Sequence, residues 1–421
     1  MKRTLLFVLI ALFTVMSVSV SVAFVEDSTT PNTAVTPTAE QSDEITGFVQ
    51  DLCQLNKAAV KADTVGWLVG KFKEALGETA FTTSVTTGEF RNKSDNKNYC
   101  NIVARLSKTG ATKQIIIGAH YDVTNGEGAA DNATGVATLY YLMKSFARSK
   151  DIPCNITFVA FDGEEQGLLG SDYFVNGNED VANDGMSAEE ISNTLVMFNI
   201  DSIAVGKKLY LMCENKHTNL ADVILANSDG IAEKPYARGT YGTYLDAVYG
   251  RGYGYYEYIQ GSDHTPFRLK GIPVAFFFSG SYNSGSWDFD EGSVINSSSD
   301  TFDNLKNYSF VERVLTVNNA IVNTVLDEQF LDVANNARSQ LVNLKLLYNA
   351  WWPSLVVLGV LVILAICTVL YSRKLQKKAI LGTAEIKTQK VFEKPDASEI
   401  FSFAETKDDK KDIDDIFTFK K

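Results

Sequence analysis

The middle of the chain alternates between short apolar runs and stretches with helical spacing. A helical pattern follows the first run, from residue 132 or 134 to Ser149, with the apolar spacing of a buried helix. Strands that alternate with helices predict an α/β fold, in which helices cover both faces of a sheet. Five apolar runs have the length of strands buried on both faces: 114–119, 155–161, 194–200, 208–213 and 272–278.

Two apolar segments lie outside this pattern, one near each end of the chain. Met1-Lys2-Arg3 precedes an apolar run that ends in small residues near Ala23, which is typical of a cleaved secretory signal. Residues 353–371 carry no charge and are long enough to cross a membrane, and basic residues follow them. Because basic residues favour the cytoplasmic side, we expect a single-pass type I membrane protein whose body is extracellular or lumenal.

These patterns divide the chain into five parts. We expect a signal peptide, a Ser/Thr/Pro-rich spacer, a folded domain, a transmembrane helix and a cytosolic tail at residues 1–23, 24–44, 45–345, 353–371 and 372–421. In the tail, an acid-Ile-Phe-hydroxyl-Phe pattern occurs at residues 399–403 and again at 415–419. The repeat is either a chance recurrence in a biased tail or a pair of docking motifs for a cytosolic adaptor.

The charge of the chain argues against one class of protein, and its cysteine content permits disulfides. The chain has 39 Lys and Arg against 51 Asp and Glu, a net charge of −12, so we do not expect a general nucleic-acid binder. Cys53, Cys100, Cys154 and Cys213 lie outside the predicted membrane helix. In an oxidising compartment these four cysteines permit two disulfides, with three possible connectivities.

Side chains that bind metals follow several of the predicted strands. His120 and Asp122 follow the first strand, and the acidic stretch 162–165 follows the second. Asp201 follows the third strand, and His264 comes shortly before the last. Ligands of open α/β sheets bind beyond the carboxyl ends of the strands. Histidine and carboxylate ligands without cysteine suit Zn, Mn or Co at an open catalytic site.

The chain resembles the zinc aminopeptidase family typified by bacterial leucyl aminopeptidases, over roughly residues 45–335. Ser299-Asp300-Thr301 is similar to a further family element. The resemblance implies a three-layer α/β/α sandwich with a mixed, largely parallel central sheet. It also implies a zinc-dependent aminopeptidase that acts on peptides with free N-termini. Five ordered motifs carry the resemblance: His120-Tyr121-Asp122, Ala130-Asp131-Asn132-Ala133-Thr134-Gly135, Asp162-Gly163-Glu164-Glu165, Asn199-Ile200-Asp201 and Ser262-Asp263-His264-Thr265-Pro266-Phe267.

The resemblance implies a metal ligand set. Asp131 would bridge two zinc ions. His120 and Asp201 would complete the site of one ion, and Glu165 and His264 would complete the other. The ligand types alone also admit Mn or Co.

Further roles follow from the same resemblance. Glu164 would be the general base and acid, and Asp122 would orient the imidazole of His120. Asn132 lies in an N-glycosylation sequon, and we expect glycosylation there to be blocked if the residue lies next to the metals. The tyrosine-rich stretch 236–258 is either a flexible surface loop or part of the substrate pocket. In the second case Tyr258 is the candidate substrate contact.

Two other functions compete with the aminopeptidase. Glutaminyl cyclases share the His-x-Asp and Asp-Gly-Glu-Glu motifs, but they use one zinc ion for acyl transfer on N-terminal glutamine. Nicastrin-like type I membrane proteins use the fold as a receptor or scaffold without catalysis. This chain keeps all five ligand residues and Glu164, which favours an enzyme.

Overall fold

The computed structural model describes residues 35–177, 185–206, 208–213, 220–233, 261–283, 286–288 and 294–391. The predicted signal peptide, Tyr258 and both tail motifs lie outside these ranges. The chain divides into two units, Met1–Tyr348 and Asn349–Lys421, and each is described by itself.

Nine strands are present in the described part of the first unit. Three of the predicted apolar runs coincide with strands at both ends, and two differ by a few residues. The strands are β1 Thr82–Arg91, β2 Asn98–Ser107, β3 Gln114–His120, β4 Asn155–Phe161, β5 Thr194–Ile200, β6 Lys208–Cys213, β7 Ile231–Glu233, β8 Val274–Asn283 and β9 Ser286–Asp288.

Among the described residues, helices occur before the first strand, in four of the eight connections between strands, and after the last strand. The predicted helix after the first apolar run corresponds to α3, and a short kinked segment, Ala129–Ala133, precedes it. The helices are α1 Ala39–Ala58, α2 Lys61–Leu76, α3 Thr134–Ala147, α4 Leu169–Asn176, α5 Ala188–Asn193, α6 Leu220–Ala226, α7 His264–Leu269, α8 Phe302–Leu305, α9 Phe310–Leu326 and α10 Phe330–Val391.

The first helix starts before residue 45, where the sequence pattern placed the start of the folded domain. Thr38 caps α1, because its hydroxyl accepts a hydrogen bond from the Gln41 amide and the Gln41 side chain accepts one from the Thr38 amide. The first turn is polar and exposed, and the buried apolar positions begin at Ile45. The predicted domain start at residue 45 therefore falls inside a helix rather than at its beginning.

The described strands form one mixed sheet in the order β1-β2-β4-β3-β5-β8-β6-β7, with β9 paired to β8. The central strands β4, β3, β5 and β8 run parallel to one another, whereas β2 pairs with β4 and β6 pairs with β8 in the antiparallel direction. The centre of the sheet therefore presents the carboxyl ends of four neighbouring strands at one edge.

Strand β3 is buried along its whole length, and its side chains alternate between two apolar layers. Ile115 and Ile117 belong to a cluster with residues of α1, α2, α3 and α9. Ile116 belongs to a second cluster that contains Phe174 of α4 and Phe267 of α7. Helices thus cover both faces, as central parallel strands require. The predicted α/β/α sandwich is confirmed.

The cysteines do not follow the two-disulfide arrangement that their number permits. Cys53 and Cys154 are buried free thiols, and Cys100 and Cys213 are buried as well. Cys53, Cys154 and Cys213 belong to the larger apolar cluster, where each fills space as a small apolar side chain.

The described part of the second unit contains one helical stretch that is long and apolar enough to cross a membrane. It comprises the 23 residues Val357–Ala379, which have a mean hydropathy of 1.9 and are not buried. The predicted span at residues 353–371 overlaps this stretch.

Candidate active site

The strand register brings the predicted ligands together at the carboxyl edge of the sheet. In the parallel pair β3 and β5, Gly118 lies opposite Asn199. Two residues further along each strand, His120 therefore comes level with Asp201. His120 also lies opposite Phe161 of β4, so the acidic turn that begins at residue 162 starts at the same edge.

His120 is the centre of a buried group of three ligand side chains. Its Nε2 atom lies 3.0 Å from Asp131 Oδ1 and 3.2 Å from Asp201 Oδ1. The three side chains are 1%, 7% and 9% exposed, and one ligand atom from each lies within 4.8 Å of the others. Among the described residues, no other group of three or more His, Cys, Asp or Glu side chains has ligand atoms this close together.

A divalent cation fits this group. Ligand atoms at about 2.0 Å from a tetrahedral zinc ion lie about 3.3 Å from one another, close to the spacing seen here. Without a cation, two buried carboxylates face each other. Burial and the neighbouring Asp201 raise the pKa of Asp131. The donor set and the crowded negative charge both favour a bound cation.

Asp122 connects His120 to the turn that carries the two glutamates. Its carbonyl oxygen lies 3.2 Å from His120 Nδ1, and its Oδ1 atom lies 3.5 Å from the same nitrogen. The carboxylate accepts hydrogen bonds from the amides of Glu164 and Glu165, at 3.1 and 3.2 Å. Asp122 therefore fixes the imidazole and the glutamate turn against each other, a wider role than the sequence implied.

A cavity of about 300 Å³ is lined by Glu164 and Glu165 of this turn. Burial raises the pKa of Glu164 to about 10 and that of Glu165 to about 7 in the absence of cations. The wall combines four acids with three large apolar side chains. The lining residues are Asp131, Glu164, Glu165, Asp201, Ser202, Gly261, Phe276, Phe278, Ser279, Ile295 and Asn296.

His264 begins helix α7 and is fully buried. Its ring stacks on Phe276, with 4.5 Å between the ring centroids. Its Nδ1 atom lies 3.2 Å from Asn199 Nδ2, and the same amide donates to Ser262 Oγ at 2.8 Å. Ser262 in turn donates to Asp201 Oδ2 at 2.6 Å. A chain of polar contacts thus joins His264 to Asp201.

The roles of Ser262 and Asn199 were not predicted, although both residues stand inside the quoted motifs.

Asn132 is 1% exposed, and its Nδ2 atom donates to Ile200 O at 2.8 Å. The nitrogen that would carry a glycan is therefore engaged inside the fold, beside the candidate ligand Asp131. Glu165 and His264 lie outside the close group around His120, so a second metal ion stays a prediction.

Comparisons with known proteins agree with this reading of the fold. Residues 101–321, slightly more than half of the chain, match the model of Peptidase family M28. The chain belongs to this peptidase family.

Individual relatives are similar to parts of the chain. A "Probable zinc metalloprotease" of Pyrenophora tritici-repentis is 36% identical over 122 residues, 25% of this chain and 28% of that protein. "Aminopeptidase YwaD" of Bacillus subtilis is 29% identical over 172 residues, 39% of this chain and 32% of that protein. The matched part thus spans about a third or less of each of these relatives. The crystal structure of BSAP, a zinc aminopeptidase from Bacillus subtilis, has a TM-score of 0.42 at 20% identity and covers 55% of this chain and 50% of that one.

Proposed function

We propose that this chain is a zinc-dependent aminopeptidase that removes N-terminal residues from peptides. One observation carries the proposal: His120, Asp131 and Asp201 form a buried ligand group beside an acidic cavity, in a member of Peptidase family M28.

Two zinc ions are proposed, with Asp131 shared between them. His120 and Asp201 would hold the first ion, and Glu165 and His264 would hold the second. The excess of acid supports a second ion, because three other carboxylates share the cavity wall with Asp131. Divalent cations nearby would lower the pKa of Glu165 below the value of about 7 that its burial imposes, and so favour its ionised, ligating form.

Glu164 is the proposed proton carrier. Zinc, when bound, acidifies a water molecule and polarises the scissile carbonyl. Glu164 lines the cavity and its backbone amide donates to Asp122, which supports a role in which its carboxylate would accept a proton from water. It would then donate the proton to the leaving amine. Cations in the cavity would lower the raised pKa of Glu164 toward neutral pH, where a carboxylate can both accept and return a proton.

The charge and shape of the cavity support peptides with free N-termini as substrates. Four acids line the cavity, which favours the cationic amino terminus of a peptide. Phe276, Phe278 and Ile295 also line it and would contact an apolar side chain.

We also propose that the helical stretch Val357–Ala379 anchors the enzyme in a membrane as a single-pass type I protein. The catalytic unit would then be extracellular or lumenal, and the tail would be cytosolic and available to an adaptor. Protease protection in sealed vesicles tests the orientation. Digestion of the first unit from the cytosolic side would contradict it.

The activity is tested with the purified full-length chain in detergent. Aminoacyl-4-nitroanilides should be cleaved, a strong chelator should abolish cleavage, and added zinc should restore it. Matched N-acetylated substrates should resist. Activity that survives exhaustive chelation, or equal cleavage of acetylated substrates, would refute the proposal. Cyclisation of N-terminal glutamine without peptide cleavage would instead favour a glutaminyl cyclase, and zinc binding without either reaction a non-catalytic role.

A further inference from the structure

Asp300 is a buried acid outside the predicted ligand set, and it holds the backbone of the proposed bridging ligand. It is 1% exposed. Its Oδ1 atom accepts a hydrogen bond from the Ala130 amide at 2.7 Å, and its Oδ2 atom accepts one from the Asp131 amide at 3.0 Å. Asp300 is not among the described residues that line the cavity.

The local backbone explains why these amides need a side-chain acceptor. Asp131 has φ −120° and ψ 88°, and Asn132 has φ −140° and ψ 42°, so neither residue is helical. The segment also belongs to none of the described strands. Buried amides without a helix or sheet partner must find another acceptor, and the Asp300 carboxylate provides it for two of them.

The main chain of Asp300 secures the same loop. Its carbonyl oxygen accepts a hydrogen bond from the Glu127 amide at 2.7 Å. Gly126 has φ +73°, and a Cβ atom at this position would lie 2.7 Å from the Asp300 carbonyl oxygen. The Glu127 carboxylate in turn accepts a hydrogen bond from the Phe302 amide at 3.0 Å. The loop before Asp131 is thus fastened at both ends to the segment around Asp300.

We propose that Asp300 is a positioning residue that sets zinc affinity by holding Asp131 in its ligating position, without binding the metal itself. The inference rests on the proposed zinc site. A carboxylate that bridges two cations must lie within a few tenths of an ångström of its place, because two sets of bond lengths depend on it. The two amide hydrogen bonds from Ala130 and Asp131 supply this restraint.

The variant Asp300→Asn tests the proposal. The amide keeps the shape of the carboxylate, but its NH2 group faces a backbone N–H, so one of the two hydrogen bonds is lost. Removing a partner that orients a metal ligand typically weakens metal binding about 10–100-fold. We expect a loss of this size in zinc affinity, measured by chelator competition on the full-length chain.

The matched control is Asp303→Asn, three positions along the same segment. Asp303 is exposed, and its partner is Lys306 at 2.7 Å. Removing this charge should leave zinc affinity within about twofold of the unaltered chain, since surface ion pairs contribute little. Unfolding of the metal-free proteins is measured alongside, because it reports a merely structural role.

The outcomes separate this inference from the proposed function. Zinc affinity of Asp300→Asn within twofold of the unaltered chain overturns the inference, even if the metal-free variant is less stable. If Asp300→Asn does not fold, Asp300→Ser is used, because its short hydroxyl cannot reach both amides. Unchanged affinity in that variant likewise overturns the inference. If the unaltered chain binds no zinc, the proposed function fails, and the inference fails with it.

Discussion

Replacing Lys61 by Met should destabilise the fold, because a buried carboxylate would lose its charged partner. Asp162, the first residue of the acidic turn, has a fully buried side chain. Lys61 Nζ lies 2.9 and 2.7 Å from its two carboxylate oxygens and 4.6 Å from the centroid of the Tyr99 ring. In the variant, the Cys100 amide, at 2.8 Å, would still donate to this carboxylate.

The magnitude follows from the burial of the two partners. Removing one partner of a fully buried ion pair costs about 3–5 kcal/mol. The Lys61 side chain is 45% exposed, so water already reaches the pair and can partly replace the ammonium. A free-energy loss of about 2–3 kcal/mol at pH 7 is therefore expected, below the range for fully buried pairs.

The loss should depend on pH with a defined sign. Burial raises the pKa of Asp162 even with Lys61 opposing it, and removing Lys61 raises this pKa further. The folded variant then binds more protons than its unfolded chain. Its stability accordingly falls as pH rises from the usual carboxyl pKa of about 4 toward the raised value. The destabilisation should be large at pH 7 and small near pH 4.

The assay is chemical unfolding of the full-length chain in detergent, repeated between pH 4 and pH 8. The matched background is Asp162→Asn, which cannot ionise, so Lys61→Met should cost much less there. An equal cost in both backgrounds would refute the reasoning. So would a cost that does not change with pH.

The other predictions concern the metals, the base and the packing around the site. Glu164→Gln should retain zinc and lose about 10²–10⁴-fold in kcat, because the amide cannot accept a proton; a loss below tenfold with metal intact would reject Glu164 as the base. His264→Ala should lower bound zinc by about one ion per chain in elemental analysis, and unchanged metal content would contradict its role as a ligand. Gly135→Ala should lower the melting temperature, because a Cβ atom would lie 2.7 Å from the Ile200 carbonyl oxygen. Gly70→Ala in helix α2 meets nothing within 4 Å and should instead stabilise by about 0.5–1 kcal/mol, so equal melting temperatures of the two glycine variants would contradict at least one of the two expectations.

The sequence predicted the centre of the sheet better than its edge. Strands β4, β5 and β6 coincide with the predicted runs because continuous apolar stretches mark strands buried on both faces. Strand β1 was not predicted. It is rich in threonine and half exposed, and it lies at the edge of the sheet, so it lacks such a run. Strand β2 pairs with it and with β4 in the antiparallel direction, a register that local pattern does not encode.

The same division holds for the site. Strand position and motif singled out His120 and Asp201, a motif alone singled out Asp131, and the structure brings the three together. Asp122 was predicted to orient His120, but the contacts of Asp300 and Lys61 were not predicted. Asp300 lies 169 positions from Asp131 along the chain, and Lys61 lies 101 positions from Asp162. Such contacts are created by folding, and the separate segments carry no local sign of them.

The buried cysteines have a practical consequence for mapping the chain in a membrane. Thiol reagents attack the thiolate at an accessible sulfur. Burial raises the pKa of Cys154 to about 12, and it also raises the pKa of the Cys53 thiol. Both sulfurs are thus shielded from reagent and kept protonated while the fold is intact. Cysteines introduced one at a time into the tail can therefore be labelled from either side of a membrane without first removing Cys53 and Cys154. These two thiols would become reactive only on unfolding, so their labelling would report damaged protein in the same experiment.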